Sequence, residues 1–86
     1  MSEHPYRLLT IAEACARRGA RKSQFYVEQN ASLLPRIVKF GRQSLIPENE
    51  LTQVLSLRAA GASDEEVKAL VRRFFEQRQQ ARAVLE

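Results

Sequence analysis

The chain has 86 residues, 44% hydrophobic and 28% charged, which suits one small globular domain with one modest core and excludes both a second core and wholesale disorder. A single Cys15 and a single His4 exclude an internal disulfide and a Cys-based zinc site, so neither a metal nor any other cofactor is expected. No apolar run approaches the roughly 20 residues that span a bilayer, and Met1 to Pro5 do not read as a signal sequence, so the expected location is cytoplasmic.

The net charge of +4 is unevenly spread. Up to Ile46, eight basic residues face three acidic ones, a net +5, whereas from Pro47 onward six face seven, a net −1. A positive field concentrated in one half of a chain favours a polyanionic partner, although scattered Arg residues also serve plain solubility.

Residues 1–7 lack periodicity, contain Pro5 and read as a flexible arm ending in Arg7. Thr10 and Glu13 fit a capping box, in which hydroxyl and carboxylate each satisfy a free N–H at a helix start. The first helix is expected from Ile11 to Arg17, with Ile11, Ala14 and Cys15 as its apolar stripe and Cys15 as a small buried hydrophobe rather than a reactive thiol. Gly19 stands where a left-handed residue ends a helix, and the short stretch before the next helix forces a steep crossing. The second helix is expected from Lys22 to Asn30, with Phe25 toward the core and Glu28 and Gln29 at its margin. Ser23, Tyr26, Val27 and Asn30 share the other side, which is unusually free of charge. Reading base edges calls for short or planar groups of this kind, although an ordinary polar face would look the same.

Ala31 to Pro35 form a connection in which Leu33 or Leu34 closes the core. Ile37 to Ile46 then read as a hairpin around Gly41-Arg42-Gln43. Alternation puts Val38, Phe40 and Leu45 on one side and Lys39 on the other, with Arg42 at the tip. Such a hairpin can reach phosphates or place an arginine in a minor groove, or serve as a structural hairpin with a soluble tip. Pro47 suits the first turn of a third helix over 48–60, whose Leu51, Val54, Leu55 and Leu57 supply core. Gly61 ends it, and Ser63 to Glu66 make a second capping box. The fourth helix carries Val67, Leu70, Val71, Phe74 and Phe75 at spacings of three and four. This stripe must cover the core of its own chain or meet the same stripe of a second copy. The expected fold is therefore mostly α with a small β-hairpin: a winged helix-turn-helix over residues 8–60, extended by a C-terminal helix over 61–86.

Arg7-Leu8-Leu9-Thr10 with Glu13, Gly19 with Lys22-Ser23 and Phe25-Tyr26, Leu34-Pro35, Val38 to Arg42, and Glu50-Leu51 stand in an order and spacing that resembles the AlpA family of small phage-type regulators, within the MerR-like and excisionase group. The resemblance covers about half the chain. It implies DNA contacts from Lys22, Ser23 and Tyr26 in the second helix and from Lys39 and Arg42 in the wing. Two departures change the picture: Arg21 replaces the family's usual capping Ser, and Val27 replaces a polar reader. Base reading then falls to Ser23, Gln24 and contact of Val27 with a thymine methyl, with Arg18 and Arg21 beside Tyr26 on phosphates and Gln43 beside Arg42 in the wing. The family's frequent tryptophan after the wing is missing; Ile46 and Pro47 stand there.

An enzyme is not expected, because no Ser–His or Cys–His pair, glycine-rich phosphate loop or acidic metal cluster is present in the sequence. The resemblance implies double-stranded DNA as partner, and an excisionase, or recombination directionality factor, assisting a tyrosine integrase of a mobile element. A transcriptional regulator using the same surface is the second expectation, and a protein-interaction module built on the fourth helix is the third. One such domain reads only a short site, so copies side by side or a dimer through the C-terminal helix are expected.

Overall fold

A computed structural model describes residues 7–85, leaving most of the expected arm, His4 included, outside the described residues. Among these residues four helices enclose one core with a three-stranded antiparallel sheet of order β1-β3-β2.

The chain enters through β1 (Leu8–Thr10), whose last residue also caps α1 (Ile11–Arg18). Thr10 Oγ1 accepts the Glu13 N–H at 3.1 Å while Glu13 Oε1 accepts the Thr10 N–H at 2.8 Å, the reciprocal box expected of this pair. At the far end Gly19, at φ 73°, donates to the Cys15 carbonyl at 2.8 Å, and the Ala20 N–H reaches the same oxygen at 3.1 Å. Only Gly19, Ala20 and Arg21 separate α1 from α2 (Lys22–Asn30), whose Phe25 is fully buried. Ser32, a non-glycine residue at φ 62°, turns the chain away from α2. Leu34 then closes the core at 2% exposure, and Leu33 packs beside it.

The sheet departs from the expectation in one element. Leu8 to Thr10, too short to show alternation, form a strand because β3 (Gln43–Pro47) presents ladder partners for them: Leu8 opposite Pro47, Leu9 opposite Ile46, Thr10 opposite Leu45. Arg7 is correspondingly no arm residue in its backbone, since its carbonyl accepts the Glu48 N–H at 2.7 Å. On the other side β3 pairs with β2 (Val38–Phe40), aligning Val38 with Leu45, Lys39 with Ser44 and Phe40 with Gln43. The period of two puts Leu9 and Ile46 on the core face, together with Lys39 and Ser44 farther out. Val38, Phe40 and Leu45 do share one side, as alternation requires, but it is the reverse face, with Leu8 and Pro47. Pro47 is the last residue of β3 and the N-cap of α3 (Glu48–Ala59), not a residue of its first turn; a missing N–H is harmless at either place.

Gly61, at φ 92°, ends the α3 region, and Ser63 and Glu66 form a second reciprocal box into α4 (Asp64–Leu85), with Ser63 N–H to Glu66 Oε1 at 2.9 Å. Val67, Val71 and Phe74 are buried in the core of their own chain and are removed from the expected self-association stripe; Leu70 and Phe75 stay half-buried. Farther along α4, Arg78 forms a two-bond ion pair with the buried Glu50 of α3 and donates to the Arg36 carbonyl at 3.1 Å. The Arg36 guanidinium in turn lies 4.2 Å from the centre of the Phe75 ring. These contacts bind the middle of α4 to the base of the hairpin. No helix of the described residues is long and apolar enough to cross a membrane.

Candidate nucleic-acid interface

The electrostatics of α2 are set by one internal pair. Arg18, at the end of α1, donates Nε to Glu28 Oε1 at 3.0 Å and Nη2 to Glu28 Oε2 at 2.6 Å. A bidentate fork of this kind is the strongest form of charge-assisted hydrogen bond. Arg18 is thereby withdrawn from the phosphate-contacting set in which sequence reasoning placed it. Its role is to neutralise the one acidic residue of α2, buried at 9% exposure. Gln24 joins the same cluster through Nε2 to Glu28 Oε2 at 3.2 Å. One N–H of the Gln24 amide is held there, and its second N–H and carbonyl oxygen, the pair that two-bond recognition of adenine requires, face outward from an exposed residue.

The Arg18 hydrogen bonds hold the Glu28 carboxyl below its usual value of 4.5 against the opposing effect of burial, and Gln24 lowers it further. The folded protein therefore takes up this proton less readily than the unfolded chain. Its contribution to stability is complete above the unfolded value and is lost as pH falls through the lower folded one. Thermal melts on either side of pH 4.5 should show an acid-induced drop in Tm that is smaller in Glu28→Gln, and equal drops would exclude Glu28 as a source of the acid sensitivity.

With Glu28 neutralised inside, the outer side of α2 is Lys22, Ser23, Tyr26, Val27 and Asn30, all exposed and none acidic. Tyr26 is 39% and Val27 59% exposed. The start of the helix is unlike the others. The first turns of α1, α3 and α4 carry Glu13, Glu48 with Glu50, and Asp64 to Glu66, which complement the positive helix end. The first turn of α2 has no acidic residue, Arg21 at its N-cap makes no side-chain cap, and both Arg21 and Lys22 are exposed with no carboxylate partner among the described residues. Two unpaired cations beside a positive dipole disfavour the helix and favour an anion bound at its free N–H groups.

The hairpin is the second positive element. From Arg36 to Pro47 it contains no acidic residue. Arg42 occupies the two-residue turn with Gly41, exposed and with no carboxylate partner among the described residues, and Gln43 follows on the surface. Lys39 Nζ donates to Ser44 Oγ across the strands at 3.0 Å, which orients the ammonium without neutralising it. By contrast Arg17, Arg58, Lys68 and Arg78 each have a carboxylate partner. Sequence reasoning left Phe40 out of the candidate set. It is 68% exposed, opposite Gln43 at the end of the ladder, and the available signal was its place next to the turn, beyond the reach of the core.

Among the described residues no group of three His, Cys, Asp or Glu side chains could hold a metal ion. Comparison of the chain with protein-family models, with curated proteins and with solved structures gave no match.

Proposed function

We propose that the protein is a double-stranded DNA-binding protein of the winged helix-turn-helix class, with α2 as the helix that enters the major groove and the β2–β3 hairpin as its wing. The observation that carries this reading is the internal Arg18–Glu28 pair, which leaves α2 exposing Arg21 and Lys22 and no acidic side chain. In this reading Arg21, Lys22 and Tyr26 meet phosphates, Ser23 and Val27 face base edges, and Lys39, Arg42 and Gln43 serve the wing. Gln24, with one amide N–H on Glu28, keeps its second N–H and its carbonyl oxygen for a base edge. The narrower assignment, an excisionase acting with a tyrosine integrase on a mobile element, rests on the family resemblance of Thr10, Glu13, Gly19, Lys22-Ser23 and Val38 to Arg42. A transcriptional regulator would use the same contacts. An interaction module on α4 has only Leu70 and Phe75 of its stripe left to offer.

The test is a mobility-shift titration on promoter and attachment-site DNA adjacent to the coding region, repeated over a salt series. Each of Arg21→Ala and Arg42→Ala should lower the log–log salt slope by about 0.9, the loss of one phosphate contact. Arg72→Ala, which removes an exposed cation of α4, should leave the slope unchanged. No shift at low salt, or equal effects of all three substitutions, would sink the reading. A strong bend and stepwise laddering at the attachment site support the excisionase, whereas a single shift confined to the promoter supports the regulator.

A further inference from the structure

We propose that Phe40 is an apolar wedge that enters the minor groove beside the wing and unstacks a base step, so that binding bends the DNA. The proposal rests on the DNA-binding reading above and assigns a task to a residue that reading leaves unused.

Phe40 is the most exposed of the large hydrophobic side chains described, at 68% against 59% for Val27, 39% for Tyr26 and 36% for Leu8. Its neighbours do not account for it. Across the ladder stands Gln43, and the aromatic contact among the described residues is that of Phe25 with Tyr26, not one involving Phe40. A threonine at this position would favour the strand equally well without holding a phenyl ring in water.

The residue is also firmly held. It is the last residue of β2, directly before a two-residue turn whose first member, Gly41, has the positive φ of 64° that such a turn requires. The supporting strand β3 is paired on both sides, and its Ile46 and the adjacent Leu9 of β1 are seated in the core. A wedge must push against stacked bases without folding back, and a central strand anchored in this way gives it a rigid base.

The surroundings favour nucleic acid over an apolar protein surface. Arg42 follows the ring after one glycine at the turn, Lys39 precedes it on the opposite face of the same hairpin, and no acidic residue lies between Arg36 and Pro47. An exposed apolar side chain between cations is the arrangement by which minor-groove proteins kink a duplex, the cations holding the phosphates while the ring separates a step.

The probe is alternating poly(dA-dT) duplex with 2-aminopurine replacing occasional adenines. Every second step in it is the easily unstacked TA, so binding register does not matter. Affinity is read by fluorescence anisotropy, unstacking by the rise in 2-aminopurine emission, and bending by energy transfer between the ends of a short duplex of the same sequence. The full chain should bind, raise the emission several-fold and shorten the end-to-end distance. Phe40→Ala should bind within about tenfold of the parent, the scale of one lost apolar contact, and show neither signal, while Phe40→Leu should keep both in part. Emission and bending that persist in Phe40→Ala, or that are missing from the parent protein although it binds, overturn the wedge and leave the DNA-binding reading standing. Absence of binding by the parent protein overturns both.

Discussion

Phe25→Ala is expected to destabilise the protein by about 3–5 kcal/mol, the usual cost of removing a buried phenyl ring and leaving part of its volume empty. Phe25 is fully buried, and it is the side chain by which α2 is held against the common core cluster. A domain of this size has a total stability of only about 5–10 kcal/mol, so a loss of that order consumes much of it. Urea unfolding followed by circular dichroism measures the effect as a fall in midpoint at constant slope. The comparison is Val27→Ala two residues on, where the side chain is 59% exposed and the change should stay within about 0.5 kcal/mol. Similar losses at the two positions would contradict the orientation of α2 on which the candidate interface depends.

The second large effect is expected at Arg78. Arg78→Ala leaves Glu50, whose side chain is 10% exposed, without its cation and the Arg36 carbonyl without its donor. Breaking a buried ion pair from one side costs about 3–5 kcal/mol, but Arg78 is 27% exposed, and partial access of water reduces the expectation to about 2–3 kcal/mol. Replacing both partners in Glu50→Leu with Arg78→Met should recover most of the loss, because no uncompensated charge then stays buried. A double-mutant cycle over the four proteins measures the coupling, and additive single effects would show that the pair does not hold α4 to α3. A second consequence concerns the hairpin. The contacts of Arg78 and Phe75 with Arg36 lie at the start of the segment leading into β2, so Arg78→Ala should also raise hydrogen exchange in β2.

Much of the local structure was legible because it depends on neighbours within one turn. Thr10 with Glu13 and Ser63 with Glu66 mark helix starts by spacing alone, and the structure contains both boxes. Gly19 at φ 73° and the span of α2 from Lys22 to Asn30 follow from the same short-range rules. The strand Leu8–Thr10 was not legible, because three residues carry no period and become a strand only through a partner 37 positions away at Ile46, where Leu9 pairs. The alternation in the hairpin identified the two sides but not which of them meets the core, since Leu9 decides that from outside the hairpin.

By itself the sequence determined where the helices begin and, to within a residue for α1 and α3, where they end, the concentration of positive charge before Ile46, and the apolar stripes, all of which arise from residue type and spacing along the chain. Only the tertiary structure decided how those charges are used. Arg18 finds Glu28 ten residues on, Arg17 finds Glu48 at 31 and Arg78 finds Glu50 at 28, and no local pattern encodes such pairs. Once they are made, Arg21, Lys22 and Arg42 remain without a carboxylate among the described residues and Phe40 remains without a core to enter. Ion pairing and burial act through space, so the side chains left over for a partner are defined only after the chain has closed on itself.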